Sequence, residues 1–174
     1  MYVKCGYVIL WLWFAVVCHA QQSARDTLEQ ANDFICTLAS GEEIRMYSLR
    51  AEALLLCFYD PSCEDCHALM KRLDASPVIE RLSGAKKLLL LAVYPEEDAT
   101  LWMANSSHVP AGWINGYDPE VKIILDNLYD FARLPALYLL DGEKRFLLKD
   151  ATADEIEEEL KFRFRQFKIQ DSKN

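Results

Sequence analysis

The chain has 174 residues, 52% hydrophobic and 26% charged, which fits one globular domain with a core of its own. Its formal net charge of -8 argues against nucleic-acid binding, which needs a basic face to displace counterions from phosphate. No internal repeat, low-complexity tract or long Gly/Ser/Pro linker divides it.

In chain order, residues 1–20 stand apart. Lys4 supplies a short positive region, Cys5–Cys18 is an almost unbroken apolar run, and Ala20 precedes the polar Gln21-Gln22-Ser23. The run is short against the roughly 20 residues a bilayer span needs, so the segment reads as a secretory signal cleaved after Ala20. A retained membrane anchor is the alternative. The expected location is periplasmic or otherwise exported. Cys5 and Cys18 would leave with the signal, while Cys36, Cys57, Cys63 and Cys66 would meet an oxidising compartment.

Residues 21–50 read as an N-terminal extension. Ser23 is placed to cap a helix to about Phe34, with Leu28, Ala31 and Ile35 on one side. Ser40-Gly41 turns between Ile35–Leu38 and Glu43–Tyr47, a hairpin pattern. Residues 51–170 read as the main domain. It opens on Ala53–Tyr59, an apolar run stopped by Asp60-Pro61, hence a buried strand. Cys66, Leu69, Met70 and Leu73 then fall on one helix face, interrupted at Pro77, with further helix to Leu82. Lys87–Tyr94 is a second buried strand, which makes a parallel strand–helix–strand unit. A short helix over Thr100–Asn105 and a loop with Pro110 and Gly112 follow. Asp118-Pro119 reads as the start of a helix with Val121, Ile124, Leu125 and Leu128 on its apolar face. Ala136–Leu140 and Arg145–Lys149 form a hairpin at Asp141-Gly142, and Thr152–Phe167 closes the chain as a helix with a Thr152/Glu155 capping box. This order gives an α/β domain with a central mixed sheet flanked by helices.

Cys63-Glu64-Asp65-Cys66 sits between a buried strand and an amphipathic helix. A helix start offers free N–H groups and partial positive charge, which favour a thiolate, the attacking form of cysteine. Cys63, at the cap, is expected to be the exposed nucleophile. Cys66, on the apolar stripe, is expected to be the buried resolving thiol.

Cys57–Cys66 resembles the active-site strand and turn of thioredoxins, and Leu134–Gly142 resembles their cis-proline loop and hairpin. Thr37–Leu49 looks like the N-terminal hairpin of membrane-associated periplasmic reductases of the TlpA type. Trp113–Asp118 and Leu147–Ala151 look like thioredoxin-like domains common in Bacteroidetes. The resemblance covers most of residues 35–165. It implies a thioredoxin fold, a cis Pro135 against the cysteine pair, and a Leu134 backbone that presents substrate to Cys63. It also implies an exported protein disulfide oxidoreductase without a cofactor, whose partners are protein thiols and disulfides and a redox partner protein. Three departures stand out. Ser62 replaces the tryptophan before the first cysteine, and Cys57 replaces the buried acid that assists proton transfer. Glu64-Asp65 puts two carboxylates between the cysteines, which opposes a thiolate and favours a reducing pair. Asp60, Glu64, Asp65 and His67 are the candidate groups for tuning the thiols.

Three other readings compete. Cys63–His67 is also a CxxCH string of the kind that attaches c-type haem. A zinc site would need about four ligands, with His108 far along the chain. The third is a non-catalytic binding module with a static disulfide. Cys36 and Cys57 read as small buried residues, with a disulfide between them as the alternative.

Overall fold

The computed structural model describes residues 28–165. Residues 1–20, expected as a signal, lie outside them. Among the described residues no helix is long and apolar enough to cross a membrane. The body begins at Ala31.

One seven-stranded mixed sheet forms the centre, in the order β2-β1-β5-β4-β3-β6-β7. β1 (Ile35–Leu38) and β2 (Glu43–Arg45) are the expected hairpin, turned at Gly41 with φ of 82°, a conformation glycine adopts freely. A 3-10 turn, Met46–Ser48, follows in place of the last residues expected for the second strand. β3 (Ala53–Phe58) is buried at every position and lies parallel to β4 (Leu88–Tyr94). α1 (Glu64–Asp74) and α2 (Pro77–Gly84) connect them. Pro77 opens α2, where its missing N–H costs nothing. α3 (Ala99–Ala104) leads to β5 (Ile114–Tyr117), parallel to β4 and antiparallel to β1. The hairpin therefore belongs to the same sheet as the main domain. α4 (Lys122–Leu125) precedes β6 (Ala136–Asp141), which pairs antiparallel with both β3 and β7 (Phe146–Leu148). α5 (Ala153–Arg163) carries the expected capping box between Thr152 and Glu155.

Strand alternation divides the core in two. Leu55, Cys57 and Tyr59 face the layer of α1, α2 and α5, where Met70, Leu73, Ile79, Leu82, Ile156 and Leu160 are buried. Each such side chain contributes about 1.5–3 kcal/mol by leaving water. Leu54, Leu56 and Phe58 face the other side, against Phe34, Met46, Ile123, Tyr129 and Tyr138. Phe58 is the hub there, with ring centroids 4.9 Å from Tyr129, 5.1 Å from Phe131 and 6.0 Å from Phe34.

Three sequence expectations are corrected. Residues 28–34 carry no helix; residues 23–27 of that expected element lie outside the described residues. Tertiary partners take the backbone groups a helix would use. Ala31 N–H donates to Lys144 C=O, Tyr129 Oη to Asn32 C=O and Met46 N–H to Phe34 C=O. The helix expected after Asp118-Pro119 is the single turn α4. Val121 adopts φ of 55°, which breaks helical continuity. The buried Asp118 carboxylate accepts from Glu120 N–H and Ile123 N–H. Of the expected apolar face, Ile124 and Leu125 are turned outward, Leu125 75% exposed, while Leu128 packs against the core with the buried Ile123. β5 was not expected as a strand, because only four residues of it pair and two are Asn115 and Gly116.

Candidate active site

The parallel strands bring their carboxyl ends to one edge of the sheet. β3 ends there in Tyr59-Asp60-Pro61-Ser62, and α1 starts at Cys63. The loop is fixed by its own polar groups. Asp60 C=O accepts Cys63 N–H at 3.1 Å, and Asp60 Oδ1 accepts from both Ser62 N–H and Ser62 Oγ at 2.7 Å. Cys63 is the N-cap of α1: its Sγ accepts Cys66 N–H at 3.1 Å.

The two thiols differ as the helix pattern requires. Cys63 is half-buried and Cys66 is fully buried among Met70 and Leu73; both are free thiols in this structure. Burial, followed by the hydrogen bond with Cys63, pushes the Cys66 thiol up to about 12. The Asp60 N–H directed at the Cys66 sulfur acts the other way. Cys57 lies beneath the pair on the same face of β3, also fully buried, and burial pushes its thiol up as well.

The Leu134–Pro135 bond is cis. The register pairs Ala136 with Phe58, so in the antiparallel β3–β6 ladder Pro135 and Leu134 lie past the end of β3 from which Cys63 emerges. The structure thus brings the cysteine pair and the cis-proline loop to one end of the sheet.

Of the four candidate tuning groups, Asp60 and His67 are half-buried beside the loop, while Glu64 and Asp65 are exposed on the first turn of α1. His67 Nε2–H donates to Pro61 C=O at 2.9 Å, because a carbonyl can only accept. Its ring stacks on His108, centroids 4.1 Å apart and planes 29° apart. Sequence reading missed this partner, because the residues between His67 and His108 include all of β4. A second unforeseen feature ties β3 to the far side of β4. Asn115 Oδ1 accepts from Tyr59 Oη at 2.8 Å and from Trp102 Nε1 at 3.0 Å.

The competing chemistries fit this geometry poorly. A haem thioether at Cys66 would need a sulfur that is fully buried, and His67 Nε2 is committed to Pro61. Among the described residues no three His, Cys, Asp or Glu side chains gather as a metal site. Cys36 and Cys57 lie on opposite faces of the sheet, with β5 and β4 between their strands, so they do not pair.

Comparison with known proteins agrees with this class of site. No family model and no curated protein matches the chain. Among solved structures it is similar to a thioredoxin-like protein from Bacteroides caccae, with TM-score 0.75 and 42% identity over 77% of this chain and 48% of that one. The chain therefore spans about half of that protein's length. It is also 42% identical to the C-terminal domain of an uncharacterized protein from Bacteroides fragilis, with TM-score 0.74 over 76% of this chain and 94% of that one. The thioredoxin domain of a thiol-disulfide oxidoreductase from Bacteroides vulgatus, 14% identical with TM-score 0.66 over 76% of this chain and 94% of that one, shares the fold. A mixed sheet with a CxxC helix at the end of a central strand and a cis-proline opposite is the arrangement of the thioredoxin fold. The chain belongs to the thioredoxin-like superfamily.

Proposed function

We propose that the protein is an exported TlpA-type thiol-disulfide oxidoreductase that reduces protein disulfides. Cys63 attacks the substrate disulfide and forms a mixed disulfide; Cys66 attacks Cys63 and releases the reduced substrate. The Leu134 backbone beside Pro135 presents the substrate segment. Electrons return to the pair from a partner thiol protein at the membrane.

The observation that carries the proposal is the asymmetry of the pair, a half-buried Cys63 at the helix cap and a fully buried Cys66 one turn on. A thiol open to substrate and a thiol closed to it are what a two-step exchange needs. The reducing direction rests on the burial of Cys66, which raises its thiol and so disfavours the thiolate relative to the disulfide, together with the acidic Glu64 and Asp65 on the same helix turn.

The test is equilibration of the full chain, with Cys5 and Cys18 replaced by serine, against dithiothreitol and glutathione redox buffers. A reversible couple near the thioredoxin value of about −270 mV is expected. A potential near the about −120 mV of strong periplasmic oxidants would overturn the reducing direction. A disulfide locked far below the glutathione range would make the bridge static and the protein a binding module.

A further inference from the structure

Resolution of a mixed disulfide requires Cys66 to lose its proton, and Cys66 is shut away from solvent. In the thioredoxin pattern a buried acid beneath the pair helps. Here Cys57 occupies that place, fully buried, and a thiol so buried is a poor proton acceptor. The groups around the loop narrow the choice. Glu64 and Asp65 point from the exposed side of α1, and the Glu96 carboxylate after β4 accepts Tyr94 Oη at 3.1 Å. His67 spends its Nε2–H on Pro61 and faces His108.

Asp60 differs from all of these. Its backbone binds both cysteines: the C=O holds Cys63 N–H and the N–H is directed at the Cys66 sulfur. Its carboxylate is half-buried and oriented through Oδ1 by Ser62, which leaves Oδ2 without a hydrogen bond among the described residues. The titratable groups that feel its charge are Cys66 in α1 and Tyr94 at the end of β4, itself bonded to Glu96, and Cys63 adjoins it through the backbone hydrogen bond.

We infer that the Asp60 carboxylate receives the Cys66 proton during the resolving step, in place of the acid that Cys57 has displaced. The inference rests on the oxidoreductase reading above. Cys66 S–H gives its proton to Asp60, and the sulfur electron pair attacks Cys63 Sγ. The Cys66–Cys63 bond forms as the bond from Cys63 to the substrate sulfur breaks. The substrate leaves as a thiolate and takes up a proton from Asp60. The cysteine pair is oxidised by two electrons and the substrate disulfide is reduced by the same two.

The experiment is rapid mixing of the reduced full chain, with Cys5 and Cys18 replaced by serine, with dithiobisnitrobenzoate. The first release of nitrothiobenzoate reports attack by Cys63, and the second reports attack by Cys66. Asp60→Asn keeps an oxygen for Ser62 but removes the base. It is expected to slow the second release by about 10-fold or more near neutral pH, while the first stays within about 2-fold. The deficit should close as pH rises and hydroxide takes over. Asp60→Ser, a shorter oxygen acceptor, should behave alike, and adding Cys57→Asp to Asp60→Asn should recover the second release. An unchanged second release, or an equal slowing of both at every pH, would overturn the role of Asp60. If the wild type gave no second release, the oxidoreductase reading itself would fall and this inference with it.

Discussion

At Gly116 in β5 the backbone passes so close to Cys36 in β1 that a Cβ would meet Cys36 Sγ at 2.7 Å and its Cβ at 3.2 Å. The glycine is needed for that approach, since its φ is an ordinary one. Gly116→Ala should therefore destabilise the protein by about 1–3 kcal/mol, the usual cost of overpacking a core. Cys36→Ala in the same chain should return part of that loss, and a double-mutant cycle in urea measures the coupling. Additive losses would mean that the contact does not limit packing. The cysteines of the site allow a sharper residue test. Cys66→Ser leaves Cys63 able to attack but removes the thiol that resolves, so mixed disulfides with substrate proteins should accumulate. Cys63→Ser should abolish exchange altogether. Both are read on non-reducing gels and by insulin turbidity, and full activity of the Cys63 variant would reverse the assigned roles.

Elements succeed or fail as helices here according to who takes their backbone groups. α5 has its Thr152 Oγ1 accepting Glu155 N–H and the Glu155 carboxylate accepting Thr152 N–H, with acids early and Lys161 and Arg163 late. Thr152→Ala should cost about 1 kcal/mol, read as a lower urea midpoint with unchanged slope. At α4 the chain does the opposite. Val121, β-branched, is held at φ of 55°, which costs about 1–2 kcal/mol in a non-glycine residue. Val121→Asn should raise stability by about 0.5–1 kcal/mol, because Asn tolerates the left-handed region; a fall would show that the valine side chain contributes more by packing than its backbone costs. These two elements also mark where the sequence was readable. β3, β4, α1, the β6–β7 hairpin and α5 were legible because their period and caps are local, and the placement of Cys63 and Cys66 follows from the β3–α1 junction, whereas the cis Pro135 was expected only from the resemblance to thioredoxins. The turn at Asp118 was not, because the same Asp-Pro pair caps a helix or folds back on its own loop, and only the sheet edge decides. His108 was invisible for a different reason: its partner lies across a whole strand crossing, and no local pattern encodes that distance. Nor could the sequence tell which of Asp60, Glu64 and Asp65 is half-buried and which exposed, since all three flank the pair.

At the scale of the whole molecule, three thiols are buried among the described residues, Cys36 on one face of the sheet and Cys57 and Cys66 on the other. Burial pushes all three above the ordinary thiol value of 9.0, Cys36 and Cys66 to about 12. The fold therefore prefers each of them protonated. For a group whose folded value is raised, the stability it contributes is complete below the unfolded value and is lost as pH climbs toward the folded one. In that window each thiol removes about 1.4 kcal/mol per pH unit. The alkaline side is thus the fragile side of this protein, and Tyr59, Tyr94, Tyr129 and Tyr138, also raised by burial, steepen the decline further. Comparing reduced wild type with Cys66→Ala isolates one group, because every other titration is common to both. Urea unfolding at several pH values between about 9 and 11 should give a wild-type decline steeper than the variant's by about 1.4 kcal/mol per pH unit. The variant starts lower, having lost a buried sulfur, so the two stabilities should converge as pH rises. Parallel declines would mean that Cys66 is open to solvent in the reduced protein. The closed resolving thiol, on which both the exchange mechanism and the need for Asp60 depend, would then be wrong.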